Sequence, residues 1–96
     1  MLILKTLQRE PAHGFGVSRS IRERTEGLIG LDDAALYQAL HRLEAKGLVG
    51  AEWGLSDSNR RAKYYRLTAK GQKQLYSKVA TWREFSKAVL KVLDES

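Results

Sequence analysis

Apolar positions along this chain fall into short groups separated by polar breaks, and the group between Leu31 and Gly71 is the most legible. Leu36, Leu40 and Leu43 recur at i, i+4 and i+7, which at 3.6 residues per turn sets them on one stripe facing a core. Ala34, Tyr37, Gln38, His41 and Ala45 fall on the opposite side, with Arg42 on the flank. Small, aromatic and hydrogen-bonding side chains on an outer face suit a groove better than open solvent, where Glu and Lys normally dominate. Gly47 is placed to end this helix, and Asp32 or Asp33 to cap its start.

After that helix the period changes. Leu48 to Gly54 reads as a strand, and Tyr64 to Thr68, rich in aromatic and β-branched types, reads as its return partner. Tyr64 and Tyr65 then face opposite sides, one inward and one outward, and alternation alone does not say which. Ser56 to Lys63 forms the hairpin tip, turn-prone at its start and positive at its end. A helix followed by a basic hairpin is the layout of a winged helix-turn-helix, in which the helix enters the DNA major groove and the hairpin touches the backbone or minor groove.

Upstream, Leu2, Ile3, Leu4 and Leu7 predict a short amphipathic helix from Met1 to Arg9, broken at Glu10 to His13 because Pro11 cannot continue the ladder. A second helix runs from Gly14 to about Arg24, with Phe15, Val17 and Ile21 inward and Ser18, Arg19 and Arg22 outward. Gly14 and Gly16 lack the third glycine and the preceding strand of a nucleotide-binding loop, so close packing is their expected role. His13, at the entrance of that helix, is open to two readings, a phosphate contact or a local hydrogen bond. Thr68 is placed to cap a final helix, in whose first turn Gly71 costs about 1 kcal/mol relative to Ala.

That final helix is amphipathic from Gln74 to Leu93. Leu75, Val79, Trp82, Val89 and Leu93 form a heptad-like seam interrupted by Ser86, and Phe85, Leu90 and Val92 widen it beyond what a small three-helix core covers. A second subunit is the expected cover, a twofold dimer being the commonest closed solution. The competing reading folds the helix back on its own domain.

Composition narrows the choice. A chain of 96 residues with 43% hydrophobic content is one small domain, which alone buries only about 60 to 65% of its unfolded surface. The absence of cysteine excludes disulfides and thiol chemistry. No secretory signal or membrane span is evident, so the cytoplasm is the expected location. The formal charge of +6 is uneven: through Ser58 there are 7 Lys or Arg against 8 Asp or Glu, and from Asn59 onward 10 against 3. Arg60, Arg61, Lys63, Arg66, Lys70 and Lys73 follow one another with no acid among them. Alone this is a solvated loop; beside the helix described above it is the footprint of a phosphate-facing wing.

Several blocks together resemble the PadR family of transcriptional regulators. They are Leu36-Tyr37, His41-Arg42-Leu43-Glu44, Lys46-Gly47-Leu48, Tyr64-Tyr65-Arg66-Leu67-Thr68 with Gly71, and His13-Gly14-Phe15-Gly16-Val17, spread from roughly Ile3 to Leu75. The chain departs from the pattern at Ala34 and Ala35, where the family usually has Gly then Ser or Thr, and at Gln38, where it usually has Pro. A hydroxyl able to bond phosphate is thereby lost, while Gln38 can donate to and accept from adenine edges. Sequence preference therefore does not transfer from relatives. The resemblance further implies a first helix longer than Met1 to Arg9, so that the chain begins inside it. It also implies repression, dimerisation through a single C-terminal helix, and release by a small hydrophobic or aromatic effector held near Trp82 and Phe85. A tryptophan there also suits a plain dimer core.

The expected fold is mainly α with a small β-hairpin: a winged helix-turn-helix DNA-binding domain over residues 1–73 and a C-terminal dimerisation helix over 74–96. The expected contacts with double-stranded DNA are Ala34, Tyr37, Gln38, His41, Arg42 and Lys46 on the helix and Asn59, Arg60, Arg61 and Lys63 on the wing. Leu75, Val79, Trp82, Phe85, Val89 and Leu93 are the expected homodimer interface. No cofactor or metal is expected. An enzyme is disfavoured because His13 and His41 are the only histidines and no nucleophile constellation accompanies them. A winged-helix protein-interaction module without specific DNA binding is the alternative.

Overall fold

The computed structural model describes residues 1–95. Helices α1 (Leu2–Arg9), α2 (Gly14–Arg24) and α3 (Asp33–Ala45) precede a hairpin of β2 (Val49–Leu55) and β3 (Arg61–Leu67), and α4 (Ala69–Leu93) closes the chain. A two-residue strand, β1 (Ala12–His13), lies in the break after α1 and pairs antiparallel with β3. The sheet therefore has three strands in the order β1-β3-β2, where the sequence pattern predicts a bare hairpin. Two residues are too few for an alternation signal, and Pro11 masks the extended backbone that follows it.

Helices α2, α3 and α4 each start on a side-chain cap. His13 Nδ1 accepts from the Gly16 N–H at 3.1 Å, Asp32 accepts from Ala35 at 2.9 Å, and the Thr68 hydroxyl accepts from Gly71 at 3.0 Å. Each cap satisfies an N–H that the first helical turn leaves orphaned. At the far end of α3, Gly47 takes φ +75°. The N–H groups of Gly47 and Leu48 bond the carbonyls of Glu44 and Leu43, the paired bonds of a Schellman motif.

Ile3, Leu4, Leu7, Val17, Ile21, Leu36, Leu40, Leu48, Val49, Tyr65 and Leu75 form one buried cluster, drawn from every helix and from the hairpin's base. Leu43 packs against it half-buried. Of the tyrosine pair, Tyr65 is the inward one, while Tyr64 lies across Gly54 and donates its hydroxyl to the Leu55 carbonyl. On α2, Gly14, Val17, Ser18 and Ile21 are buried. Phe15, expected inward, is 64% exposed: it shares the opposite face with Arg19 and Arg22, four and seven residues on. Ser18, expected outward, is buried, with its Oγ 3.5 Å from the Leu31 carbonyl oxygen.

Helix α4 joins the domain through a close approach. A Cβ at Gly71 would meet the carbonyl oxygen of Leu48, so glycine at this position is a packing requirement and not a tolerated loss. Leu75, one turn on, is only 2% exposed. The helix then runs unbroken past residues 73 and 74, leaving the bundle after Val79, and the molecule extends 57 Å along its longest axis.

Candidate nucleic-acid interface

The outer face of α3 is set by the burial of the inner one. With Leu36 and Leu40 fixed in the core, Ala34, Tyr37, Gln38, His41, Arg42 and Lys46 are all exposed. Tyr37 is anchored as well as displayed. Its ring crosses Gly14 so closely that a Cβ there would come within 2.8 Å, which explains the glycine at the α2–α3 contact.

The wing's backbone differs from the expected one. Arg61, Ala62 and Lys63 belong to β3, so the tip is only Ser56 to Arg60. Asn59 turns it with φ +62°, a conformation asparagine tolerates better than most residues. Its N–H donates to the Ser56 carbonyl at 2.9 Å, and the Ser56 N–H donates to the Arg60 carbonyl at 2.8 Å. Pairing of Leu55 with Arg61, Trp53 with Lys63 and Ala51 with Tyr65 puts these six side chains on one face of the hairpin. On that face the Arg61 guanidinium lies 5.0 Å from the centroid of the Trp53 ring.

Lys63 is already ion-paired within the chain. Its ammonium donates to Glu44 Oε1 at 3.0 Å and sits 5.4 Å from the Tyr65 ring. The bond to Glu44 raises its pKa above the ordinary 10.5. The charge is paired with an acid of α3, and the side chain is only partly exposed. The strand pleat keeps it on the same face as Arg61, but at the next residue pair on that face nearer the domain, within reach of Glu44.

One cleft of about 990 Å³ unites part of the expected set: Tyr37, His41, Arg60, Arg61 and Lys63 line it. Ala34, Gln38, Arg42, Lys46 and Asn59 stand outside its lining. His13, Phe15, Arg19 and Trp53 line it too, and sequence reasoning left these four out of the contact set. The i, i+4 spacing of Phe15 and Arg19 carried a signal for them, as did the place of Trp53 opposite Lys63. His13 spends Nδ1 on the α2 cap and meets Tyr64 edge-on at 5.6 Å, the local hydrogen-bonding role. Basic and aromatic side chains around a cleft bordered by the N-terminus of α2 suit a polyanion with planar bases. Among the described residues there is no cluster of three or more His, Cys, Asp or Glu able to hold a metal ion, and no helix long and apolar enough to cross a membrane.

Residues 3–77 match the family model described as the transcriptional regulator PadR-like family. The chain belongs to that family. A PadR-like fold is also what the solved structures share with it. A transcriptional regulator from Clostridium thermocellum is 31% identical with a TM-score of 0.85, over 98% of this chain and 90% of that one. A PadR family transcription regulator from Clostridium difficile is 31% identical with a TM-score of 0.83, over 96% and 94%. An uncharacterized protein of Lysinibacillus sphaericus is 33% identical over 92% of this chain and 81% of its own. The PadR-like family is one of DNA-binding transcriptional regulators and not of enzymes.

The side chains beyond the cleft divide along α4. Leu75, expected at a subunit interface, is a core residue of the protomer: α4 must pack its first turns on the domain before it can leave it. Val79 is half-buried at the edge of that core. Trp82, Phe85, Val89 and Leu93 are exposed, and so are Leu90 and Val92. Trp82 and Phe85 hold their rings 6.1 Å apart beside a recess of about 480 Å³, lined also by Met1, Ser77, Lys78 and Thr81.

Proposed function

We propose that this PadR-like regulator is a cytoplasmic repressor that acts as a homodimer on an inverted-repeat operator. Two copies of α3 enter successive major grooves about 34 to 36 Å apart. Tyr37, Gln38 and His41 read base edges or adjacent phosphates, Ala34 allows close approach, and Arg42 and Lys46 lie at the groove margin. Asn59, Arg60 and Arg61 hold the wing on phosphate or in the minor groove. The observation that carries the reading is the common cleft, in which the exposed face of α3 and the Arg60–Arg61 end of the wing stand side by side. In this reading residues 1–73 bind DNA and residues 74–96 join the subunits.

Dimerisation is supported by the run of exposed apolar side chains on α4 from Trp82 onward, since contiguous apolar surface of that kind marks an interface. A small hydrophobic or aromatic effector bound near Trp82 and Phe85 then alters the spacing of the two reading heads. Changing Trp82 to Leu should abolish the response to such a compound while leaving the dimer intact, and an unchanged response would remove the effector site.

The deciding experiment selects duplexes from a random library and measures their affinity by fluorescence anisotropy between about 50 and 200 mM salt. Enrichment of a palindrome, bound tightly and with steep salt dependence, supports a dimeric sequence-specific regulator. Weak binding to every duplex without enrichment would favour a protein-interaction module.

A further inference from the structure

Among the described residues, one side-chain hydrogen bond joins α3 to the hairpin, that of Lys63 to Glu44. Its two ends are 29% and 36% exposed, so solvent screens it less than it screens the other ion pair, Arg19 with Glu23, at 68% and 66%. The ring of Tyr65, buried near the hairpin's base, lies 5.4 Å from the Lys63 ammonium. Across the ladder Lys63 stands opposite Trp53, and Trp53 carries Arg61. A continuous series of contacts therefore runs from the recognition helix to the exposed guanidinium of the wing.

We infer that Lys63 is a positioning residue: with Glu44 it fixes the wing's angle to α3, and it does not neutralise a DNA phosphate. This rests on the DNA-binding reading above. An ammonium already bonded to a carboxylate releases little counterion when DNA arrives, because its charge is matched beforehand. Glu44 gains equally, since without Lys63 it would be an unmatched negative charge beside the cleft. Arg60 and Arg61 have no acidic partner among the described ion pairs, and the phosphate contacts fall to them.

The test uses the full chain and its selected duplex, with thermal melts to establish folding. Replacing both residues, Glu44→Ala with Lys63→Ala, leaves the local net charge unchanged. Affinity should fall about three- to tenfold while the salt slope holds, whereas a phosphate-bound Lys63 would lower the slope by about 1. Glu44→Lys alone should weaken binding by setting two cations against each other. Exchanging the pair, Glu44→Lys with Lys63→Glu, should restore affinity to within about threefold of wild type, and it decides alone where the alanine pair melts too early. Tighter binding by Glu44→Lys, or an exchanged pair no tighter than the single variant Glu44→Lys, would overturn the inference alone. A wild-type chain that selects no duplex would overturn the DNA-binding reading and this inference with it.

Discussion

Arg61 holds its guanidinium 5.0 Å from the centroid of Trp53, with both side chains on the cleft face of the hairpin. A cation over an indole at an exposed site is worth about 0.5 to 1 kcal/mol. Arg61→Ala should weaken binding to all duplexes alike and flatten the salt slope by about 1, because it removes one phosphate contact. Trp53→Ala removes only the platform, so affinity should fall about two- to fivefold with the slope unchanged. Anisotropy titrations at several salt concentrations separate the two. An Arg61→Ala slope equal to that of wild type would take Arg61 off the phosphate.

Gln38 should behave in the opposite way. It is exposed on α3, where its amide can both donate and accept. Gln38→Ala is expected to relax preference at a single base-pair position by about 1 to 3 kcal/mol, while affinity for unrelated duplexes stays near wild type. Competition between the selected duplex and single-position variants measures it. Uniform weakening across those variants would make Gln38 a backbone contact.

The elements with a long period were legible in the sequence, because α3 and α4 repeat their apolar positions over several turns. What escaped was set by tertiary contact. The extended residues Ala12 and His13 become a strand only because β3 lies beside them. Phe15 reads as core by composition, and only the burial of Gly14, Val17 and Ser18 shows that it faces the other way. Lys63 sits in a basic run, yet β3, which carries it toward Glu44, begins at Arg61, three residues before the strand start expected at Tyr64. Leu75 reads as the first position of a seam that in space starts beyond Val79.

Gly71 carries a stability prediction. Alanine is the better helix former by about 1 kcal/mol, yet its Cβ would strike the Leu48 carbonyl, which is backbone and cannot swing aside. The clash should win, and Gly71→Ala should destabilise the fold by about 1 to 3 kcal/mol, read as a lower urea midpoint. A raised midpoint would show that the first turn of α4 can shift away from the hairpin.

The Lys63 ammonium gives a pH prediction whose sign follows from its raised pKa. In the folded chain it titrates above its ordinary 10.5, mainly because of its bond to Glu44. Folding then favours the protonated form, so the stabilisation is complete below about pH 10.5 and is lost as pH rises through the folded pKa. Wild type should therefore melt above Glu44→Gln at neutral pH, and the gap should close above about pH 10.5. A gap constant through that range would mean that the Lys63 charge contributes nothing to it.

Leu75 and Leu90 occupy the same helix and should fail differently. Leu75 is buried within the protomer, so Leu75→Ala leaves a cavity at a cost of about 2 to 5 kcal/mol whatever the subunit concentration. Leu90 is 53% exposed, and Leu90→Asp removes no contact of the domain. It sets a charge on the face proposed to meet a second copy, where an unpaired carboxylate is costly to bury. The expected product is a folded monomer with the urea midpoint of dilute wild type, and with weaker DNA binding because the two half-sites are no longer read together. Sedimentation equilibrium tests this directly: a Leu90→Asp chain that stays dimeric at micromolar concentration would move the subunit interface off this face of α4.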